Sequence, residues 1–402
     1  MTSTIADLLQ RGSSLKTGPF GSTLAASEYT EVGVPVVSVG EVGDGRLEVG
    51  RQTRRVDAGV TLRLAEYVLE EDDIVFARKG SVGRTARVKR NEAGWFLGSD
   101  GLRLRVGTSA DAAFIAFQLR SAEVRDWLIR HAGGSTLLSL NQETIARIPL
   151  HLPPLPTQRA IAEVLGALDD KIAANQAVST AADALACAEF EASRRSSTLN
   201  ARTFDDVAGV AGGGTPSTKV AEFWDGDIAW VTPTDVTALS APYLDSTARR
   251  ITDAGLAMCS SAVYPVDCIL MTSRATIGAF ALAKVPTAVN QGFIVAQARD
   301  PRAQFWLFHE MRSRVDDFMA HANGATFLEL SKSRFKAMQV MWPGEPGVFQ
   351  EFARRVTPLH DRAYAATVES RHLATLRDTL LPHLMSGRIT VRDAEKAVEE
   401  VL

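Results

Sequence analysis

The feature that most constrains this chain is that its second half restates its first. DDIVFARKGSVG (Asp72–Gly83) aligns with DCILMTSRATIG (Asp267–Gly278) at an offset of 195, and GVPVVSVGEV (Gly33–Val42) with DIAWVTPTDV (Asp227–Val236) at 194. GSTLLSL (Gly134–Leu140) matches GATFLEL (Gly324–Leu330) at 190, and LPPLPTQ (Leu152–Gln158) matches WPGEPGVFQ (Trp342–Gln350) at 190 to 192. Four blocks in one order, with small drifts, mean a duplicated unit with loop insertions and deletions. The period far exceeds the roughly 20–50 residues of solenoid repeats, so each copy is a domain plus a connecting element. A length of 402 residues agrees, being too long for one ordinary domain.

Each copy reads in the same sense. Short β-branched runs separated by Gly, Pro and Asp come first: VPVVSV, EYVLEEDDIVFA and LRLRV in copy one, DIAWV and CILMTS in copy two. A helical pattern follows, DAAFIAFQLRSAEVRDWLIRHA and then AQFWLFHEMRSRVDDFMAHA. A Pro-rich hinge and a long helix close each copy. The fold class expected is α+β.

The long helices carry a narrow apolar seam. After Pro156 it falls at Ile161, Leu165, Leu168 and Ile172, then continues in small or polar residues through Asn175, Ser179, Ala182 and Ala186. In copy two it runs through Phe349, Phe352, Val356, Leu359, Ala363, Ala366, Ser370, Leu373 and Leu380. Steps alternating between three and four predict a helix paired along its length with another helix. Each is expected to run about 40 residues, roughly 60 Å at the α-helical rise. Pro358 lacks an N–H and is expected to kink the second helix or to start a new one.

Composition excludes several classes. Hydrophobic residues at 46% and charged residues at 23% rule out a mainly disordered chain. A net charge of -3 rules out a bulk polycation, though not a local basic surface. Three unpatterned cysteines, Cys187, Cys259 and Cys268, suggest neither a disulfide framework nor a zinc site, and fit a reducing, cytoplasmic setting. No secretory leader or membrane span is expected.

Catalytic motifs are missing as well. Gly209–Lys219 is glycine-rich, but Thr215 stands where a phosphate-binding P-loop needs lysine. No dinucleotide fingerprint follows a strand, and His309-Glu310 begins a zinc-protease pattern that Ser313 breaks. Asp72 and Asp73 precede Lys79 as carboxylates precede a lysine in some nucleases, yet a turn before a strand explains them better. No catalytic residue, metal or cofactor is assigned.

What remains is a binding surface. Arg78, Lys79, Arg84, Arg87, Lys89 and Arg90 lie between Phe76 and Asn91 without an acidic residue among them. A Gly80–Gly83 turn would let both arms of a hairpin offer charge to one surface, where Lys and Arg neutralise phosphates. The alternative is a solvated hairpin balancing the acidic run Glu70–Asp73. Gly- and hydroxyl-rich loops open each copy, KTGPFGSTL with Lys16 and Ser22, and GGGTPSTK with Thr215, Ser217 and Lys219. Thr232, Thr234, Arg274, Asn290 and Gln291 complete the candidates in copy two, by side-chain type suited to phosphates or base edges.

LPPLPTQRAIAEVLGALDDKIAANQ (Leu152–Gln176) closely resembles the segment after the first recognition domain in specificity subunits of type I restriction-modification systems. GGTP (Gly213–Pro216) looks like the opening of that family's recognition domains, and LLPHLMSGRITV (Leu380–Val391) like its closing segment. Copy one departs with GPFGST in place of GGTP, and copy two with GEPGVFQ in place of PLPTQ. The resemblance implies two α/β target-recognition domains (1–155 and 201–345) joined by two long antiparallel coiled-coil helices (156–200 and 346–402, with the C-terminal tail), in pseudo-twofold arrangement.

It further implies that each recognition domain reads one half of a split site in double-stranded DNA. Methyltransferase subunits, expected to be two, dock on the helices; restriction motor-nuclease subunits join them, and this chain does no chemistry. Rigid linkage would multiply two short readings, with half-sites about 34 Å, one DNA turn, apart. The rival readings are a methyltransferase or nuclease with fused recognition domains, and an orphan scaffold that no longer reads DNA.

Overall fold

The computed structural model describes residues 3–134, 138–323 and 328–400, with only the backbone of Ser22. Two compact units emerge: Met1–Ile172 with Arg371–Leu402, and Ala173–Ser370. Both divisions fall inside long helices, Leu155–Ser196 and Pro346–Ser386, of 42 and 41 residues.

In the first unit, an antiparallel sheet has the order Ser14–Thr17, Gly101–Arg105, Ile74–Ala77, Thr85–Arg87. The central strand is apolar at every position because both its faces are covered. Ile74 and Phe76 pack with Phe114, Ile115 and Leu119, while Val75 and Ala77 pack with Val37, Val88 and Leu97. The two-residue strand period does the sorting. A second small sheet orders Tyr29–Thr30, Arg55–Val56, Val34–Val37 and Phe96–Leu97.

The second unit repeats this logic. Its five-stranded sheet runs Ala208–Ala211, Phe293–Ala298, Ile269–Thr272, Phe280–Ala283, Tyr243–Leu244. Ile269 and Met271 face the helical side; Cys268 and Leu270 face the other. A second sheet joins Arg249–Ile251, Trp224–Val231 and Thr287–Val289. The matched blocks therefore build matched strands, each entered through an Asp in left-handed conformation, Asp72 (φ 71°) and Asp267 (φ 62°). Asp tolerates that region better than most residues.

Several local expectations are corrected. Of EYVLEEDDIVFA only Ile74–Ala77 is a strand, the rest being a 3-10 turn and the acidic turn. The first helical pattern breaks in two, Ala112–Arg120 and Ala122–His131, because Ser121 turns extended and caps the second piece by accepting from Val124 N–H. The second likewise divides into Gln304–Arg312 and Val315–Ala320.

The long helices pair within each unit. Ile161, Leu165, Leu168, Leu373 and Leu380 are buried in one core, with Ile172 packed against it. Phe352 and Val356 are buried in the other beside Ala182, Ala186 and Phe190, with Leu359 against it. Asp169 meets Arg377 in the first unit, and Glu189 meets Arg355 in the second. Positions rising along one helix meet positions falling along the other, so the pairing is antiparallel. Pro358 neither ends the second helix nor starts another. It sits on the exposed face, where water can reach the carbonyl its missing N–H leaves open.

Candidate nucleic-acid interface

In the first unit, three distant segments converge where the central strand ends. Arg78 N–H donates to the Asp100 carbonyl (3.0 Å), and the Arg78 carbonyl accepts from Leu140 N–H (2.8 Å). Lys79 bridges to Ser139 and pairs with Asp100 at 3.1 Å. Gln142 Nε2 donates to Thr17 Oγ1 at 3.0 Å, which brings in the loop carrying Phe20. The Arg78 guanidinium lies 6.0 Å from the Phe20 ring centroid. Arg84 stays at this turn, its guanidinium donating to the Ser81 hydroxyl.

Arg87 does not join them. It lies opposite Ile74, at the far end of the strand pair, and pairs with Asp72 at 3.0 Å. Three residues of strand separate it from the turn by about 10 Å. Beside it Arg90 pairs with Glu71, Lys89 with Asp170, and Arg105 with Glu70 and Asp73. The hairpin thus does not offer both arms to one surface: its base balances the acidic turn, and only its tip holds Arg78, Lys79 and Arg84. Lys16 is also engaged, with Glu66 and over the Tyr67 ring (4.7 Å). The Lys16 ammonium holds the Glu66 carboxyl below its usual range. The Ser22 side chain lies outside the described residues.

The second unit builds the corresponding place with other side chains. Arg274 bridges to Glu329 as Lys79 does to Ser139, and pairs with it at 2.8 Å. Thr215 Oγ1 donates to Gln291 Oε1 at 2.6 Å. Lys332, the counterpart of Gln142 at offset 190, lies over Gly212, where a Cβ would come within 3.1 Å of Nζ. A cavity of about 660 Å³ is lined by Gly213, Ser273, Arg274, Gln291, Glu329 and Lys332.

The Gly-rich loop is pinned. A Cβ at Gly213 would strike the Val289 carbonyl, Trp230 Nε1 donates to the Gly214 carbonyl (3.1 Å), and the Tyr264 hydroxyl donates to that of Gly212. Burial pushes the Tyr264 phenol up, keeping it a donor.

The remaining candidates are placed elsewhere. Thr232 caps the short helix Pro233–Thr237, its hydroxyl donating to Asp235 at 2.6 Å. Asn290 Oδ1 accepts from Gly292 N–H at 2.8 Å, closing a turn. Thr234, Ser217 and Lys219 are exposed, with Ser217 giving its carbonyl to Trp224 Nε1. Phe20, Gln142, Glu329 and Lys332 belong to the convergent sites although sequence reasoning passed them over. The repeat offset was the signal that could have paired Gln142 with Lys332. No His/Cys/Asp/Glu cluster able to hold a metal occurs among the described residues, and none of their helices is long and apolar enough to cross a membrane.

Comparison with known proteins agrees with this duplication. The family model described as the type I restriction modification DNA specificity domain matches twice, over residues 15–181 and 197–354. The MjaIX specificity subunit of Methanocaldococcus jannaschii is 37% identical over 140 residues, 34% of this chain and 32% of that protein. The HindI specificity subunit of Haemophilus influenzae is 22% identical over 191 residues, covering 47% and 41%. The chain thus spans well under two thirds of either curated relative. A solved type I restriction-modification S subunit from M. genitalium shares the fold with a TM-score of 0.60 at 16% identity, covering 96% of this chain and 95% of that one. With both family matches together spanning most of its length, this chain belongs to the type I restriction-modification DNA specificity family.

Proposed function

We propose that this chain is the sequence-specific DNA-recognition subunit of a type I restriction-modification complex. Residues 1–155 and 201–345 each read one half of a bipartite site in double-stranded DNA. The helices of residues 156–200 and 346–402, the latter range including the C-terminal tail, form the spacer, holding half-sites about one DNA turn apart (roughly 34 Å), and the platform for two methyltransferase subunits. Restriction motor-nuclease subunits join that assembly, and the methyl transfer and cleavage belong to the partners. The observation that carries this reading is the twofold family match, each copy falling on a unit whose strand-end loops gather cationic, amide and hydroxyl side chains. Such side chains position a protein on phosphates and read base edges.

The test is to map methylated adenines in the host genome with and without this protein. A bipartite motif that disappears with the protein supports the reading. Unchanged methylation overturns it. Purified chain with adenosylmethionine and DNA should transfer no methyl group; transfer would favour a fused methyltransferase instead.

A further inference from the structure

Single exposed apolar side chains are ordinary on protein surfaces. Phe20 is set apart by how it is held and by what surrounds it. The residue is 64% exposed at the tip of the loop that opens the first unit. The loop backbone is anchored: Gly18 N–H donates to the Gly101 carbonyl at 3.0 Å, and a Cβ at Gly18 would strike the Gly98 carbonyl. Gly21 turns the chain through a left-handed conformation (φ 65°), and Thr23 N–H returns to the Phe20 carbonyl. A fixed loop therefore presents the ring to solvent. One side of that ring faces the Arg78 guanidinium, whose own backbone ties to Asp100 and Leu140. Lys79, nearly half exposed, stands next in the chain.

An apolar, polarisable face beside the Arg78 guanidinium, with Lys79 next to it and paired to Asp100, is chemistry suited to a nucleobase flanked by a phosphate. Aromatic rings stack on bases, guanidinium groups add cation–π attraction, and apolar side chains entering a base step unstack it. The second unit places Thr215 at this position, an offset of 195, and ties it to Gln291. The two units then differ in kind: amide and hydroxyl groups in one, an aromatic tip in the other.

We infer that Phe20 stacks on a base of the half-site read by the first unit, entering the duplex as a wedge. The inference rests on the DNA-recognition reading above. Its test uses the complex assembled with its methyltransferase subunits, on cognate duplex carrying 2-aminopurine at successive positions of each half-site. Apart from the adenines that the methyltransferase subunits extrude for methylation, wild-type binding should raise 2-aminopurine fluorescence at one further step of one half-site only. Phe20→Ala should abolish that rise and weaken cognate binding by roughly tenfold, as expected for loss of one stacked base. Phe20→Trp should restore both, and all three complexes should assemble alike. Unchanged affinity and fluorescence in Phe20→Ala would overturn the inference while leaving DNA recognition standing. Loss of methyltransferase assembly in Phe20→Ala would also overturn it, by making the ring a protein contact. Failure of the wild-type complex to bind any duplex would instead sink the underlying reading.

Discussion

His309 Nε2 lies 3.1 Å from His360 Nε2 in the core of the second unit, so one imidazole donates and the other accepts. The chain of contacts continues to the Tyr243 hydroxyl at His360 Nδ1 (2.9 Å) and to Cys187 Sγ at His309 Nδ1 (3.8 Å). Asp183 and Arg312 pair alongside at 2.6 Å. The network joins both long helices to the helix Gln304–Arg312 through polar atoms whose geometry admits few alternatives.

Acid should therefore loosen this unit. Burial, then the neighbouring cationic groups, lowers His309 to about 3, and burial lowers His360 to about 4. Both lie below the value of about 6.5 for an unfolded histidine. Because the folded form binds its protons more weakly, the stabilisation is full above about pH 6.5 and is lost as pH falls toward 4. Each histidine contributes a slope of up to ~1.4 kcal/mol per pH unit in that window. Hydrogen exchange of Gln304–Arg312 should accelerate from pH 6.5 downward, beyond its intrinsic pH dependence. His309→Gln should flatten that response by about half; an unaltered slope would remove the pair as its cause.

In the first unit Asp169 is shared by two arginines, Arg120 at 2.6 Å and Arg377 at 2.5 Å, both largely buried. Asp169→Asn would leave two guanidinium groups close together, with Asp44 and Asp378 as their remaining carboxylate partners among the described residues. Breaking a buried pair by removing one partner costs about 3–5 kcal/mol. A loss of unfolding free energy of that order, read from urea unfolding, is expected for the first unit, and a change below about 1 kcal/mol would contradict the arrangement.

Ala275 occupies a left-handed conformation (φ 58°) at the position where the first unit has Gly80 (φ 69°). A Cβ there costs about 1–2 kcal/mol, while glycine adds back ~0.5–1 kcal/mol of chain entropy. Ala275→Gly should stabilise slightly, by roughly 0.5 kcal/mol, and Gly80→Ala should destabilise by a similar amount. Thermal midpoints moving the other way in both variants would refute this account.

These cases mark what was legible before the fold was known. Local periods were: the strand at Ile74–Ala77 and the seam through Leu165, Leu168, Leu373 and Leu380 follow from spacing alone. Contacts closed across long loops were not. Gln142 reaches Thr17 across 125 positions, and His309 reaches His360 across 51, with nothing local to announce either. Arg87 misled because a basic run looks alike whether or not an acidic turn lies opposite. Strand register put Asp72 beside it. Pro358 misled because its effect depends on which helix face it occupies.

The cationic candidates now separate by their partners, and DNA binding should separate them too. Lys332 has no ion-pair partner among the described residues and lies over the Gly-rich loop, which suits it to a phosphate contact. Lys332→Ala should weaken the assembled complex on every sequence and reduce the salt slope by about 1. Arg274 is paired with Glu329 at the rim of the same cavity. An Arg–Glu pair matches guanine and cytosine edges, so Arg274→Ala should relax specificity at one position of one half-site, by about 1–3 kcal/mol. Arg87, held by Asp72 at the other end of its strand pair, should matter little, within about twofold in affinity, as for other surface ion pairs. Binding isotherms at several salt concentrations, with methylation motifs mapped for each variant, distinguish the three. A specificity change in Lys332→Ala, or a uniform loss in Arg274→Ala, would reverse these two roles; a large loss in Arg87→Ala would place DNA at the acidic turn.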